Sequence, residues 1–416
     1  MGNIAHAQSA DPDRLLTGSQ GASAPIGFAV AGNPLDVATH SGVPFALLDA
    51  FAQLGAPVRP LRAALPDPLQ RLALNLMAVT VTRRSDIPLD GSSIERLVLA
   101  VRGNKPRVHA GRWMAALRSG AVAARLVPDR DLRQCVQFGS EYRLPARVRY
   151  VTYDDATIVQ LSRAYPYPWM RSVPADELDR MIARQQRIFA GAECCCLSNH
   201  WAAVSATEDY GVPPERIVVT GEGATPVVPL PERDWSAPRF LFVGKEWERK
   251  NGAGLLRAFA RVFEQRPEAQ LDVVGGHPRL DEPGVVGHGF LPAGDPAAQA
   301  RLHELFARAT CLVVPSLLEP GGCVFAQALQ AGLPSIGGAA GGAATIIGDA
   351  GLLVDGSDER ALLTAMLELC DERSLQSFAA AARSRAALFT WRAVAERVLR
   401  ALAPANVDVG GFAVPL

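Results

Sequence analysis

Lysine is nearly missing from this chain. Of its 42 basic residues only three are lysines, at positions 105, 245 and 250. Arginine therefore serves wherever a generic surface cation is wanted, and each lysine asks for a reason. An excess of either charge is missing too. The 42 Lys+Arg are matched by 42 Asp+Glu, which excludes a chain organised around a basic nucleic-acid surface. No apolar run approaches the roughly 20 residues a bilayer-spanning helix needs, so no transmembrane segment is expected, while peripheral membrane contact is left open. The seven cysteines (135, 194, 195, 196, 311, 323 and 370) form no CxxC pair and no zinc-like spacing with histidines. Neighbours within 194–196 would point to opposite faces of a strand, so they cannot all pair with each other. Reduced thiols in a cytoplasmic protein are the expectation. Residues 1–23 lack the apolar stretch of a signal peptide. His6 stands where myristoylation wants Ser or Thr, and a loose tail is expected there.

What is present is enough apolar sequence, 49% of the chain, to exclude wholesale disorder. At about 100–200 residues per domain the length predicts two or three domains. From Ile26 onward, short β-prone runs alternate with stretches of helical spacing. In the first half 26–31, 147–153, 194–198 and 216–220 read as strands, with helices in VPFALLDAFAQLG and ELDRMIARQQRIFAGA. The Pro-rich stretch 224–239 reads as a linker. A second series has strands at 240–244, 270–276, 311–316, 333–338 and 351–355, with helices at 252–264, 296–309, 323–331, 358–370 and 391–402. Strands alternating with helices build parallel sheets covered on both faces. The expected fold is α/β: two Rossmann-like, doubly wound domains facing across a cleft, with ligands at the carboxyl ends of the strands. The expected division is an N-terminal domain over 24–223, the linker 224–239, a C-terminal domain over 240–390, and a closing helix and tail over 391–416.

Two of the three lysines, Lys245 and Lys250, fall in FLFVGKEWERKNG, after a predicted strand and before a helix. A basic loop entering a helix N-terminus is how α/β proteins grip phosphate, and Lys supplies a compact, rotatable point charge there. Two solvated surface lysines would read the same way. In PSLLEPGGCVFAQALQAGLPSIGG (315–338) a strand ends, Glu319 occupies the turn, and Gly321, Gly322 and Cys323 open a helix whose first amides favour an anion. Glu319 is placed to touch a sugar beside such a phosphate, and Gln327, two turns into the helix, comes round toward the same ligand. A capping carboxylate and a solvated glutamine are the plainer readings of each. His277, after the strand 270–276, falls on the same cleft edge. Asp155 follows a strand in RYVTYDDAT and reads equally as a helix cap. His40, His109 and His200 are scattered and read as ordinary. Asp129 and Asp131 have the spacing of a metal-binding DxD pair but lie in a polar loop outside the second series, and no metal site is expected.

Taken together, VGKEWERKNG, the 315–338 segment, AAGGAATII and the closing FTWRAVAERVL resemble the retaining glycosyltransferases of the GT-B fold, family 4, over about residues 238–403. The resemblance implies that Lys245 and Lys250 bind the diphosphate of a nucleotide-sugar and that Glu319 contacts its hexose. It implies that the amides at Gly321, Gly322 and Cys323 hold phosphate and sugar. The second acidic position of that family, which accepts from both ribose hydroxyls, is Gln327 here. An amide offers one acceptor and one donor where a carboxylate accepts twice, so weaker or altered nucleotide binding is expected. THSGVPFALLDAF is similar to a donor-side loop of some members, with Gly42 facing phosphate. RYVTYDDAT is similar to a strand-end segment in which Asp155 stands on the acceptor side, where many relatives carry histidine.

The activity this implies is retaining transfer of a hexose from a UDP- or GDP-sugar to a hydroxyl acceptor, whether glycan, lipid-linked or small molecule. No cofactor and no metal are expected, because Lys245 and Lys250 would neutralise the leaving diphosphate. A catalytically silent nucleotide-sugar-binding paralogue, which Gln327 invites, and a nucleotide-sugar epimerase of the same fold are the alternatives. A dinucleotide-dependent oxidoreductase would want GxGxxG after the first strand, where AGNPLD stands instead.

Overall fold

The computed structural model describes residues 25–84, 108, 111–129, 131–165, 167–171, 173–224, 233–403 and 414. The tail 1–23, Lys105, His109 and residues 225–232 of the 224–239 stretch lie outside the described residues.

Fully apolar runs set the frame. Every residue of CCCL and of CLVV is buried, which suits a strand covered on both faces. The first sheet holds β1 (Ile26–Val30), β2 (Val58–Arg62), β3 (Gln134–Phe138), β4 (Arg149–Asp154), β5 (Cys194–Leu197) and β6 (Ile217–Val219). Its order is β2-β1-β3-β4-β5-β6, parallel throughout. The second holds β7 (Arg239–Gly244), β8 (Gln270–Gly275), β9 (Val285–Gly289), β10 (Cys311–Val314), β11 (Ser335–Gly338) and β12 (Gly351–Val354). Its order is β12-β11-β10-β7-β8-β9, again parallel. This is the expected pair of doubly wound sheets.

The helices of the first half are α1 (Val43–Gln53), α2 (Asp67–Arg84), α3 (Arg112–Leu126), α4 (Ile158–Ala164), α5 (Pro168–Arg171), α6 (Ala175–Gly191) and α7 (His200–Glu208). Those of the second are α8 (Gly252–Gln265), α9 (Pro296–Arg308), α10 (Cys323–Gln330), α11 (Ala343–Ile347), α12 (Glu359–Glu368), α13 (Glu372–Ala386) and α14 (Trp391–Leu402). Side-chain caps start many of them. Asn199, Asn251, Asp295, Asp358, Asp371 and Thr390 each accept a first-turn backbone N–H, the role short polar residues fill at helix starts.

Three strands escape the apolar pattern for physical reasons. β2 (VRPLR) and β9 (VVGHG) are edge strands, where Pro and Gly are tolerated. β3 (QCVQF) is interior, and its buried Gln137 spends Nε2 on the carbonyls of Gly139 and Tyr142 at 3.1 and 3.0 Å.

Helix α14 follows the second sheet in sequence but packs on the first. Its Val394, Ala395, Val398 and Leu402 share a core with Phe28 of β1 and with Leu47 and Phe51 of α1. Arg397 seals that contact, donating Nη1 to the Thr220 carbonyl at 2.7 Å. Leu47→Ala is expected to cost about 2–5 kcal/mol, read as a lowered urea midpoint. An unchanged midpoint would mean that α1 and α14 do not rest on this shared core.

The order of each sheet reverses at one place, between β1 and β3 in the first and between β7 and β10 in the second. Doubly wound sheets bind ligands in the crevice beyond the strand ends at such a reversal. The loops leaving β7 and β10 are those carrying Lys245, Lys250 and Glu319.

Candidate active site

At the reversal of the second sheet, Lys250 Nζ donates to Glu319 Oε2 at 2.6 Å, and Ser316 Oγ donates to the same oxygen at 2.9 Å. Arg249 backs the pair. It lies 3.7 Å from Glu319 Oε1, gives Nη1 to the Leu318 carbonyl at 2.7 Å and gives Nη2 to Glu246 at 2.9 Å. Glu319, Lys250 and Arg249 are all buried. Burial alone would raise the Glu319 carboxyl. The Lys250 and Arg249 charges, with the hydrogen bonds from Lys250 and Ser316, outweigh it and hold the carboxyl below its ordinary value.

The backbone of Glu319 is fixed as firmly as its side chain. Its N–H donates to the Ala340 carbonyl at 3.0 Å, and its own carbonyl accepts from Gly342 at 2.7 Å. Between these bonds Gly341 has φ +110°, and a Cβ there would fall 2.2 Å from the Glu319 carbonyl oxygen. The AAGGAATII stretch is thus a brace for the acidic turn, and no L side chain is tolerated at its centre.

The other expected residues fall around this pair. Gly321 and Gly322 precede α10, which opens at Cys323, and Gly322 has φ +127°. Gln327 is half-buried on α10. Lys245 is exposed, its Nζ 5.8 Å over the Phe290 ring, and stands at the rim. His277 spends both ring nitrogens on backbone. Nε2 accepts the Gly289 N–H at 3.0 Å, so Nδ1 carries the proton and donates to the Pro278 carbonyl at 2.7 Å. Gly42, φ +85°, caps α1 at the reversal of the first sheet, after His40 and Ser41, which are also left-handed. Asp155 follows β4 and is exposed, its carbonyl accepting a hydrogen bond from Asn199. The protein packed around its carboxyl raises its pKa, the charge of His40 opposes that rise, and Glu319 adds to it. Asp129 is ion-paired with Arg59 of β2, and Asp131 is exposed; the DxD spacing serves the surface of the first half.

Four residues outside the expected set complete the cleft. Arg249 was hidden because arginine is this chain's generic cation. Asn199, the α7 cap, joins the two halves: its Nδ2 donates to the carbonyls of Pro320 at 2.8 Å and Asp155 at 2.9 Å, while Oδ1 accepts from Ala202. Beside it His200 N–H donates to Thr345 Oγ at 3.0 Å. His40 lies with its ring 5.1 Å from that of Phe138 and acts on Asp155. Glu222 lies under the start of α10 and accepts the Cys323 thiol at 2.8 Å. Its signal in sequence was a lone acid between glycines, TGEGA, just after a strand.

The family pattern described as "Glycosyl transferases group 1" matches residues 237–372, the stretch holding this pair and its brace. That stretch is a group 1 glycosyltransferase domain of family 4, and the fold around it is GT-B. The chain is 27% identical over 393 residues to a D-inositol 3-phosphate glycosyltransferase of Nocardioides sp., covering 82% of this chain and 84% of the relative. A protein of the same description from Thermobispora bispora is 31% identical over 218 residues, 46% of this chain and 51% of the relative. Among solved structures, the sucrose-phosphate synthase of Thermosynechococcus elongatus superposes with TM-score 0.62 at 17% identity, covering 91% of this chain and 98% of that one. The lipopolysaccharide glycosyltransferase WaaG superposes with TM-score 0.59 at 15% identity, covering 91% and 100%.

This glycosyltransferase is thus of a retaining family whose matched relatives include hexosyltransferases. Among its described residues no helix is long and apolar enough to cross a membrane. Its buried ion pair makes a stability prediction. Losing one partner strands a charge, so Lys250→Ala is expected to destabilise by about 3 kcal/mol. Because the Glu319 carboxyl is held below its ordinary 4.5, its contribution is full above that value and is lost as pH falls through the lower folded-state value. Urea titrations of wild type and Glu319→Gln at descending pH check this. The two curves should converge in acid, and parallel curves would show the pair contributes no pH-linked stability.

Proposed function

We propose that this enzyme moves a hexose from a UDP- or GDP-sugar to a hydroxyl acceptor with retention and without a metal, in the cleft between domains 24–223 and 240–390. The reading is carried by one observation: the buried Lys250–Glu319 pair stands at the sheet reversal beside the N-terminus of α10. The glycine amides and dipole there suit a diphosphate, Glu319 suits sugar hydroxyls, and Lys245 is an exposed cation with room to move onto the phosphates. In the transfer, the bond from the anomeric carbon to the phosphate oxygen breaks and one to the acceptor oxygen forms on the same face. The acceptor proton passes to the leaving phosphate oxygen, and the products are a glycoside and a nucleoside diphosphate. Lys245, Lys250 and the first amides of α10 stabilise the charge that gathers on the phosphate. Asp155 and His40 stand across the cleft, on the acceptor side. The free cysteines accord with a cytoplasmic site of action.

The test is a donor screen with UDP-, GDP-, ADP- and dTDP-sugars. It reads thermal shift and released nucleotide, with EDTA added in parallel and D-inositol 3-phosphate as the first acceptor tried. A stabilising donor with slow nucleotide release in EDTA, both lost in Lys250→Ala, supports the reading. Stabilisation without release under any acceptor supports instead the silent binder that Gln327 suggests, and no shift with any donor overturns both. Lys245→Ala removes one charge-assisted contact and no packing. It is expected to raise donor KM by about 10–100-fold while leaving the melting temperature in place.

A further inference from the structure

Glu222 is a buried acid that the transfer chemistry above does not use. It is 5% exposed at the end of β6, in TGEGA. Its Oε1 accepts the Cys323 thiol at 2.8 Å, and its Oε2 is buried without a hydrogen-bond partner among the described residues. A Cβ placed on Gly321 would lie 2.4 Å from Oε2. That oxygen therefore presses against the turn that opens α10.

The groups facing Glu222 give an ionised carboxyl little help. From the end of β4 comes Asp155, and from the turn after β10 comes Glu319, both acids that disfavour a further negative charge. Lys250 is the cation that favours it, and its Nζ hydrogen-bonds Glu319 rather than Glu222. Tyr153 of β4 and the Cys323 thiol are themselves weak acids held protonated by their surroundings. Arg397 of α14 reaches the same segment but gives its Nη1 to the Thr220 carbonyl.

We propose that Glu222 is a positioning residue for the donor diphosphate and works only as the neutral carboxyl: protonated, it lets the Gly321–Cys323 turn receive the phosphates; ionised, it sets a second anion beneath them. The inference rests on the nucleotide-sugar reading above. Burial first, then the charges of Asp155 and Glu319, push the Glu222 carboxyl up to about 8. A carboxyl raised this far is neutral at pH 7 and loses its proton as pH rises through that value. Diphosphate affinity then falls on the alkaline side, and binding in that range draws a proton from solution.

Isothermal titration of UDP and of GDP into the full-length protein, in two buffers of different ionisation enthalpy, reads both effects. At about pH 8.5 wild type is expected to take up about 0.8 proton on binding. Its affinity should fall about tenfold between about pH 7 and about pH 9, following the neutral fraction. Glu222→Gln is neutral at every pH, so it should take up no proton and change affinity less than about twofold over that range. If that variant does not fold, Cys323→Ala serves. It removes the thiol bond that favours the ionised form, so the fall in affinity should move to higher pH. Equal proton uptake in wild type and Glu222→Gln overturns the inference, as does an unmoved fall in Cys323→Ala. Wild-type binding that ignores pH overturns it too, while leaving the nucleotide-sugar reading standing. Failure of both nucleotides to bind at any pH removes both.

Discussion

The cleft depends on the salt bridge between Lys250 and Glu319. Two charged side chains taken out of water lose hydration that only close geometry and further hydrogen bonds offset. Here Ser316 supplies a second bond to the shared oxygen, Arg249 adds a second cation, and the backbone of Glu319 is clamped between Ala340 and Gly342. The pair joins loops 69 residues apart, so it fixes the separation of the β7 and β10 ends. From that follow the place of Gly321 and Gly322, the direction of α10 and the need for Gly341.

The proposed reading asks an acid-rich cleft to take an anion, and electrostatics bear on how it can. Burial raises the carboxyls of Asp155 and Glu222, and the charge of Glu319 adds to the rise of both. Of the three, Glu319 alone has cations in contact among the described residues. A group forced toward its neutral form stops repelling a phosphate, and Asp155 and Glu222 are both pushed that way. The anionic field left in the cleft is therefore smaller than the count of acids suggests, and Lys245 with the first amides of α10 acts against it. The same logic makes Asn199 valuable as a bridge between the two halves, because it is a neutral group binding two carbonyls and adds no charge to a place already crowded with it.

Much of this was legible in sequence. Parallel sheets bury both faces of their strands, so CLVV, CCCL and FLFVG announced themselves, and the closing helix was read over 391–402. The pairing of a basic loop with an acidic turn was legible because both sit at strand ends, where ligands gather. What sequence did not give were contacts made by folding distant loops together. His40 was set aside as an isolated histidine, yet folding brings its charge near enough to act on Asp155. Glu222 was passed over because nothing in TGEGA says that Cys323, 101 residues on, will lie 2.8 Å away. Edge strands β2 and β9 were missed for the opposite reason: their partners tolerate the Pro and Gly that disguise them.

The scarcity of lysine can now be read residue by residue at the site. Lys250 is explained by the chain itself. Its stem lies so close over Gly244 that a Cβ there would meet its Cδ at 2.4 Å, and its ammonium fits between Glu319 and the turn where a planar guanidinium would need a wider slot. Lys245 has no such explanation within the fold. It is exposed, and its contact is the face of Phe290 at 5.8 Å, which arginine would make at least as well. A chain that uses arginine for ordinary surface charge has a lysine here, five residues from the buried one and on the rim of the same crevice. On the proposed reading, the requirement that selects a compact, rotatable charge at 245 is the donor diphosphate at the start of α10.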